Sequence, residues 1–226
     1  MKSFILSFVL FLSVNALAET ESLDDLMTPD EIAAEAGFPR TEMNTEVLSL
    51  RDFDSVESLN VTREFPIVLI ANKSAGGYEA QTMRVIQNGG HTHTWKISTG
   101  REQWETAKSG RQYFTTTPPG WFYPYSIVRN HYSQTWQTNM EFSVFFNGGV
   151  ALHAANSAHN YQLGRRASGG CVRLHRDNAK YIYERIVQEG KGLVPVIRPN
   201  GAVARDWRGN VIRAVKYRTL IVVEGY

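Results

Sequence analysis

The chain has 226 residues, 24 Lys and Arg against 22 Asp and Glu, and a single cysteine. One cysteine excludes an internal disulfide framework, and no zinc-finger, RNP-type or helix-turn-helix pattern accompanies the basic residues, which argues against nucleic acid as a partner. The near balance of charge conceals a split: residues 19–60 hold 12 acids and 2 bases (net −10), whereas residues 61–226 hold 10 acids and 21 bases (net +11).

Residues 1–20 read MKSFILSFVLFLSVNALAET, with one lysine, an apolar run from Phe4 to Val14 and the small-residue pattern Ala16-Leu17-Ala18. This is the layout of a signal peptide over residues 1–18, with cleavage expected after Ala18. The run is well short of the roughly 20 residues that span a bilayer. The expectation is therefore an exported protein without a membrane anchor, placed in the periplasm or cell wall of a bacterium, where a basic domain meets anionic wall polymer. No cysteine sits near the cleavage point to carry a lipid.

Residues 19–60 form an acidic N-terminal extension. Within it, TPDEIAAEAGF offers Thr28 as a helix N-cap, Pro29 at the first helical position, Glu31 three residues after the cap and Gly37 as a stop. The extension is expected to be either a solvated linker or a flap that covers part of the basic domain and restrains access to it, since opposite charges attract.

From Phe65 the texture changes to short runs rich in β-branched and aromatic residues: FPIVLI, TMRVI, TWKIS, FSVFF, GVALH, LVPVI, NVIRAV and TLIVV. Asn88-Gly89-Gly90 and Asn147-Gly148-Gly149 are turn signals, the first predicting a hairpin between MRVI and TWKIS. In DNAKYIYERIVQEG, Ala179, Ile182, Tyr183, Ile186 and Val187 follow helical spacing, and Gly190 ends the run. The prediction is a mainly β, sandwich-like domain over residues 61–197 with one helix after the cysteine. A basic C-terminal extension, 198–226, is expected to add edge strands. Segments 101–116 and 123–139, rich in Tyr, Trp, Ser and Thr, are expected to be walls or lids.

In an oxidising compartment Cys171 must be buried and inert, shared between chains, or chemically used. Gly169 and Gly170 before it and Arg173 after it argue against an ordinary core position. A nucleophilic thiol needs something to stabilise its thiolate. Six histidines could do so: His91, His93, His131, His153, His159 and His175. His153 stands out because it ends the apolar run GVALH, a rigid mount. His175 is expected at the surface or as a helix cap. His91 and His93 could share a strand face, but two ligands without a third at a telling spacing make a weak metal case. Neither metal nor cofactor is expected. Spacing alone does not bring His153 to Cys171.

The sequence resembles the L,D-transpeptidases of the YkuD type. Those proteins carry a strand ending in His, a gap, and then Ser-His-Gly-Cys-hydrophobic-Arg or Asn. Here His153 is followed by a 14-residue gap and SGGCVRL from Ser168. ISTG (97–100) is similar to the family's Ser-Thr-Gly turn, TPPGWF (117–122) to its Thr-Pro-x-Gly-x-Phe segment, and MEFSVFFNGGVALH (140–153), opening at Met140, to its strand pair. The resemblance covers residues 65–197. It implies Cys171 as nucleophile, His153 as general base oriented by the Ala154 carbonyl, and the Gly170 and Cys171 backbone N–H groups as an oxyanion hole. It further implies Ser168 as support for the turn, and Gly169, Arg173 and Met140 near the substrate, with Arg173 placed to bind a carboxylate or make a structural ion pair. One departure is plain: Gly169 stands where the family motif has histidine, and Ala154 where glycine often follows the first histidine.

The resemblance implies a peptidoglycan-modifying transpeptidase that forms an acyl-enzyme with a tetrapeptide stem and passes it to an amine, giving a 3-3 cross-link. The alternatives are an L,D-carboxypeptidase using the same residues, or a wall-binding module with a decayed site. A papain-like protease is disfavoured, because His precedes Cys and the papain-type cysteine motif is missing.

Overall fold

A computed structural model describes residues 21–43, 64–135 and 137–225. The signal sequence at 1–18 and most of the second half of the acidic extension lie outside the described residues. The described extension opens with a single helical turn, α1 (Leu23–Leu26), followed by α2 (Pro29–Ala36). As read from the sequence, α2 is started by Thr28, whose side chain accepts from Glu31 N, while the Glu31 carboxylate accepts from Thr28 N. Gly37 ends it in the left-handed region at φ 71°.

Among the described residues thirteen strands follow: β1 (Ile67–Asn72), β2 (Thr82–Gln87), β3 (Gly90–Ser98), β4 (Trp104–Thr106), β5 (Gln112–Phe114), β6 (Gly120–Phe122), β7 (Ser126–Ser133), β8 (Thr138–Asn147), β9 (Val150–Ala154), β10 (Val172–Leu174), β11 (Lys191–Pro195), β12 (Arg213–Tyr217) and β13 (Thr219–Glu224). Nine of them form one large sheet in the order β6-β13-β1-β2-β3-β10-β9-β8-β7. The fold is mainly β, as expected. β2 and β3 form the predicted hairpin, with Asn88 and Gly89 both at positive φ as such a turn requires.

Buried strands explain the near-continuous apolar runs. Along β1, Ile67, Leu69 and Ala71 enter one core cluster while Val68 and Ile70 enter another on the opposite face. The larger cluster is closed by α3 (Arg176–Glu189), which lays Ala179, Ile182 and Ile186 against the sheet. His175 caps that helix, its Nδ1 accepting from Asp177 N at 3.4 Å.

Two expectations are corrected. Val187, assigned to the apolar face of the helix, is 51% exposed, because the buried stripe narrows to three residues. The segment 219–224, expected at an edge, is interior: β13 pairs parallel with β1 and antiparallel with β6, and all six of its residues are buried. The segments expected as walls or lids are built partly of strands, which does not bear on that role. β7 forms a sheet edge on β8, its mixed polar sequence fitting a strand with one free side, and β4 pairs with β5 in a separate hairpin. No helix among the described residues is long and apolar enough to cross a membrane.

Candidate active site

Two parallel neighbours build the site. β9 and β10 pair in the register Val172 with Leu152 and Arg173 with His153. Alternation then divides the side chains. Leu152, Val172 and Leu174 enter the large core on one face, while Ala151, His153, Cys171 and Arg173 share the other. A short strand entered immediately after Cys171 thus presents that sulfur beside His153, which sequence spacing alone does not show.

Cys171 is fully buried and His153 is 1% exposed. The His153 Nδ1 lies 2.8 Å from the Ala154 carbonyl, which can only accept, so Nδ1 carries the hydrogen and the neutral ring keeps its lone pair on Nε2. That Nε2 is buried without a hydrogen-bond partner among the described residues. It lies 3.7 Å from an Asp24 carboxylate oxygen, and a nitrogen of the same ring lies within 4.8 Å of the Cys171 sulfur. The sulfur accepts from Ala151 N at 3.4 Å and donates to Gly149 O at 3.7 Å.

The cysteine turn is braced from several directions. The Ser168 hydroxyl donates to Cys171 O at 2.6 Å and accepts from Gly170 N at 3.1 Å. Thr117 donates to Gly170 O and accepts from Gly100 N. Thr99 O accepts from both Ala167 N and Ser168 N, and the Gln81 side chain fixes Thr99 in turn. The 97–100 and 117–122 motifs therefore act as struts for the turn. The expectation that Gly170 N–H is open to an oxyanion is corrected for this state, since Ser168 already accepts it. Met140 is buried in the apolar cluster that includes Cys171.

The residues that sequence reasoning missed come from the acidic extension. Arg173, 1% exposed, donates to both Asp24 oxygens at 2.9–3.2 Å, and its Nη2 lies 2.7 Å from Asp25. Arg101 also binds Asp25, at 2.9 Å, and further pairs join Lys108 to Glu21 and Arg111 to Glu31. The opposite charges of the two halves meet in these contacts. Burial works to raise the Asp24 carboxyl, but the Arg173 charge and the hydrogen bonds from Arg173 and Ser22 outweigh it, holding the group well below the usual carboxylate range. Burial pushes the Cys171 thiol far up, and the Asp24 charge adds to this, against smaller help from Ala151 N–H and Arg173. Burial lowers the His153 pKa, opposed chiefly by Asp24. The pair is thus a neutral thiol beside a neutral imidazole, not a partly ionised couple.

Asp24, His153 and Cys171 offer three ligand atoms within 4.8 Å of one another, a set that could hold a metal ion. The Arg173 guanidinium on the same carboxylate competes with any cation for it.

The L,D-transpeptidase catalytic-domain model of the YkuD family matches residues 67–197. No curated protein matches the sequence. Solved structures with similar folds include the LD transpeptidase LdtMt1 in complex with imipenem (18% identity, TM-score 0.45, covering 70% of this chain and 59% of that one). An L,D-transpeptidase from Xylanimonas cellulosilytica DSM 15894 is similar at 20% identity and TM-score 0.46, over 85% of this chain and 68% of that one. L,D-transpeptidase 3 from Mycobacterium tuberculosis, in complex with a faropenem-derived adduct, is similar at 17% identity and TM-score 0.45, over 71% and 60%. The chain thus spans about three fifths of LdtMt1 and of the M. tuberculosis structure. With the family model extending over more than half of its length, this chain belongs to the YkuD family of L,D-transpeptidase catalytic domains.

Proposed function

We propose that this protein is an exported enzyme that exchanges the end of peptidoglycan tetrapeptide stems through a cysteine acyl-enzyme, carried by a catalytic domain that begins near residue 61 and takes β13 into its sheet. The observation that carries the reading is the shared face of β9 and β10, where a ring nitrogen of His153 lies within 4.8 Å of the only sulfur nucleophile in the chain. In this reading Nε2 takes the thiol proton as Cys171 Sγ attacks the carbonyl of the third-position diamino acid. The tetrahedral oxygen takes the negative charge beside the Cys171 backbone N–H, and Gly170 N–H joins it by leaving Ser168. The imidazolium then protonates the departing amine of D-alanine, leaving a thioester. An acceptor amine attacks the thioester, His153 takes its proton, the 3-3 amide forms and the thiol is restored. Ala154 O holds the ring in the tautomer that both half-reactions need.

The test is muropeptide analysis of tetrapeptide-rich peptidoglycan incubated with the purified full chain, beside Cys171→Ala. D-Alanine release with new 3-3 dimers is the expected result. D-Alanine without dimers assigns the same residues to a carboxypeptidase. Binding to the polymer with no release by either chain overturns the enzymatic reading and leaves a wall-binding module.

A further inference from the structure

The approach to Cys171 is filled by residues 22–38 of the same chain, and the fit is chemical as well as steric. Leu23, Leu26 and Met27, with Ile32 from α2, pack in the same apolar cluster as the Cys171 sulfur. Three glycines at the rim are matched to the backbone of the extension. A Cβ on Gly169 would lie 1.7 Å from the Asp24 carbonyl oxygen, one on Gly149 1.9 Å from Pro29 O, and one on Gly148 2.4 Å from Thr41 N. Gly169 is the informative one, because its φ lies outside the left-handed region, so its own conformation does not demand glycine. What forbids a side chain there is Asp24, with the Tyr113 hydroxyl 2.8 Å from the same Cβ position. The position where the YkuD-type motif carries histidine is thus emptied to admit the extension.

Arg173 supplies the chemical half. Its guanidinium is buried, and a buried charge must be paired. The partners are Asp24 and Asp25, from outside the domain that carries the cysteine. When the extension leaves, Arg173 faces the vacated space next to Cys171 and requires another anion. A tetrapeptide stem brings carboxylates to that space.

We propose that residues 22–38 form an intramolecular plug in which Asp24 occupies, on Arg173, the place of a carboxylate of the stem-peptide donor, so that plug and donor exclude one another. The identity of the donor rests on the function proposed above; the plug does not.

The test uses the full chain. Alkylation of Cys171 by iodoacetamide, followed by intact mass, compares the wild type with Asp24→Ala and Gly169→His, with thermal unfolding reporting that the body remains folded. Both variants are expected to react at least tenfold faster. Asp24→Asn, which keeps the shape and removes the charge, replaces any variant that does not fold, and it too is expected to react faster. Wild-type rates in the folded variants overturn the plug. Binding of a disaccharide-tetrapeptide is then measured on Cys171→Ala, which cannot turn over, with and without Asp24→Ala. The expected result is at least tenfold tighter binding without the Asp24 carboxylate, together with faster amide exchange across α2 when the tetrapeptide binds the chain that retains Asp24. Equal affinities with unchanged exchange overturn the carboxylate exchange at Arg173. Faster alkylation with no tetrapeptide binding to either chain overturns the stem-peptide reading while sustaining the plug.

Discussion

Thr28→Ala isolates the closed state from the chemistry. α2 has eight residues, fewer than the roughly 12–15 an isolated helix needs in water, so it depends on its cap and on the burial of Ile32 and Ala33. The Thr28 hydroxyl accepts from Glu31 N at 3.2 Å and the Glu31 carboxylate accepts from Thr28 N at 2.9 Å. Loss of such a cap costs about 1 kcal/mol. Because α2 belongs to the extension and not to the sheet, the cost falls on the balance between covered and uncovered site. At about 1.4 kcal/mol per tenfold, the uncovered fraction grows about fivefold. When re-covering is fast compared with alkylation, the rate of iodoacetamide capture at Cys171 rises by the same factor. Thr28→Ser keeps the cap and loses only a methyl group, so it should stay near the wild-type rate. Equal rates for wild type and Thr28→Ala, or equal acceleration by Ala and Ser, would refute the reasoning.

His153→Gln removes the base while keeping a polar side chain at that register position, and D-alanine release should fall by about 10²–10⁴, measured by single-turnover assay on tetrapeptide. Ser168→Ala leaves Cys171 O and Gly170 N–H without their buried partner; denaturant unfolding should show a loss of roughly 1–3 kcal/mol. Burial raises the Glu224 carboxyl to about 7, with Glu79 adding to the shift and Arg84 opposing it. A carboxyl raised in the folded state contributes stability that is full below its unfolded pKa and lost as pH rises through about 7. Glu224→Gln should flatten the decline in stability between pH 5 and 8, a difference of about 2 kcal/mol at pH 8 after allowance for partial solvent screening. Calorimetric midpoints that fall in parallel for both chains would contradict this.

Local chemistry made several elements legible. The cap and stop of α2, the Asn-Gly turn between β2 and β3 and the span of α3 each depend on residues within one or two turns of chain, and each forms as read, though the buried stripe of α3 omits Val187. β7 escaped because an edge strand with one wet side tolerates Arg129, Asn130 and His131, which break the apolar alternation. β13 was recognisable as a strand but not as an interior one, since only pairing with β1 and β6 distinguishes the two. In the site, motif order pointed to His153 and Cys171 as a pair, while the register of β9 against β10 places them on one face. Asp24 and Asp25 gave no signal: two acids in an acidic segment look alike whether solvated or buried, and Arg173 lies 149 residues from Asp24. The missing histidine at 169 was visible as a departure; its physical reason, the Asp24 backbone lying against that glycine, exists only in three dimensions.

The place of β13 bears on how the molecule is made. Ile67 pairs with Thr219, so the gap between β6 and β1 is filled by residues synthesised long after either neighbour. Until they arrive, β1 has only its β2 neighbour, and Val68 and Ile70 lack their partners Leu220 and Val222; a contact between such distant segments forms slowly. The strand that joins β6 to β1 is thus absent from the large sheet until the chain has been made through residue 224, and the cluster holding Phe65, Val68, Ile70 and Trp121 lacks Leu220 and Val222 until then.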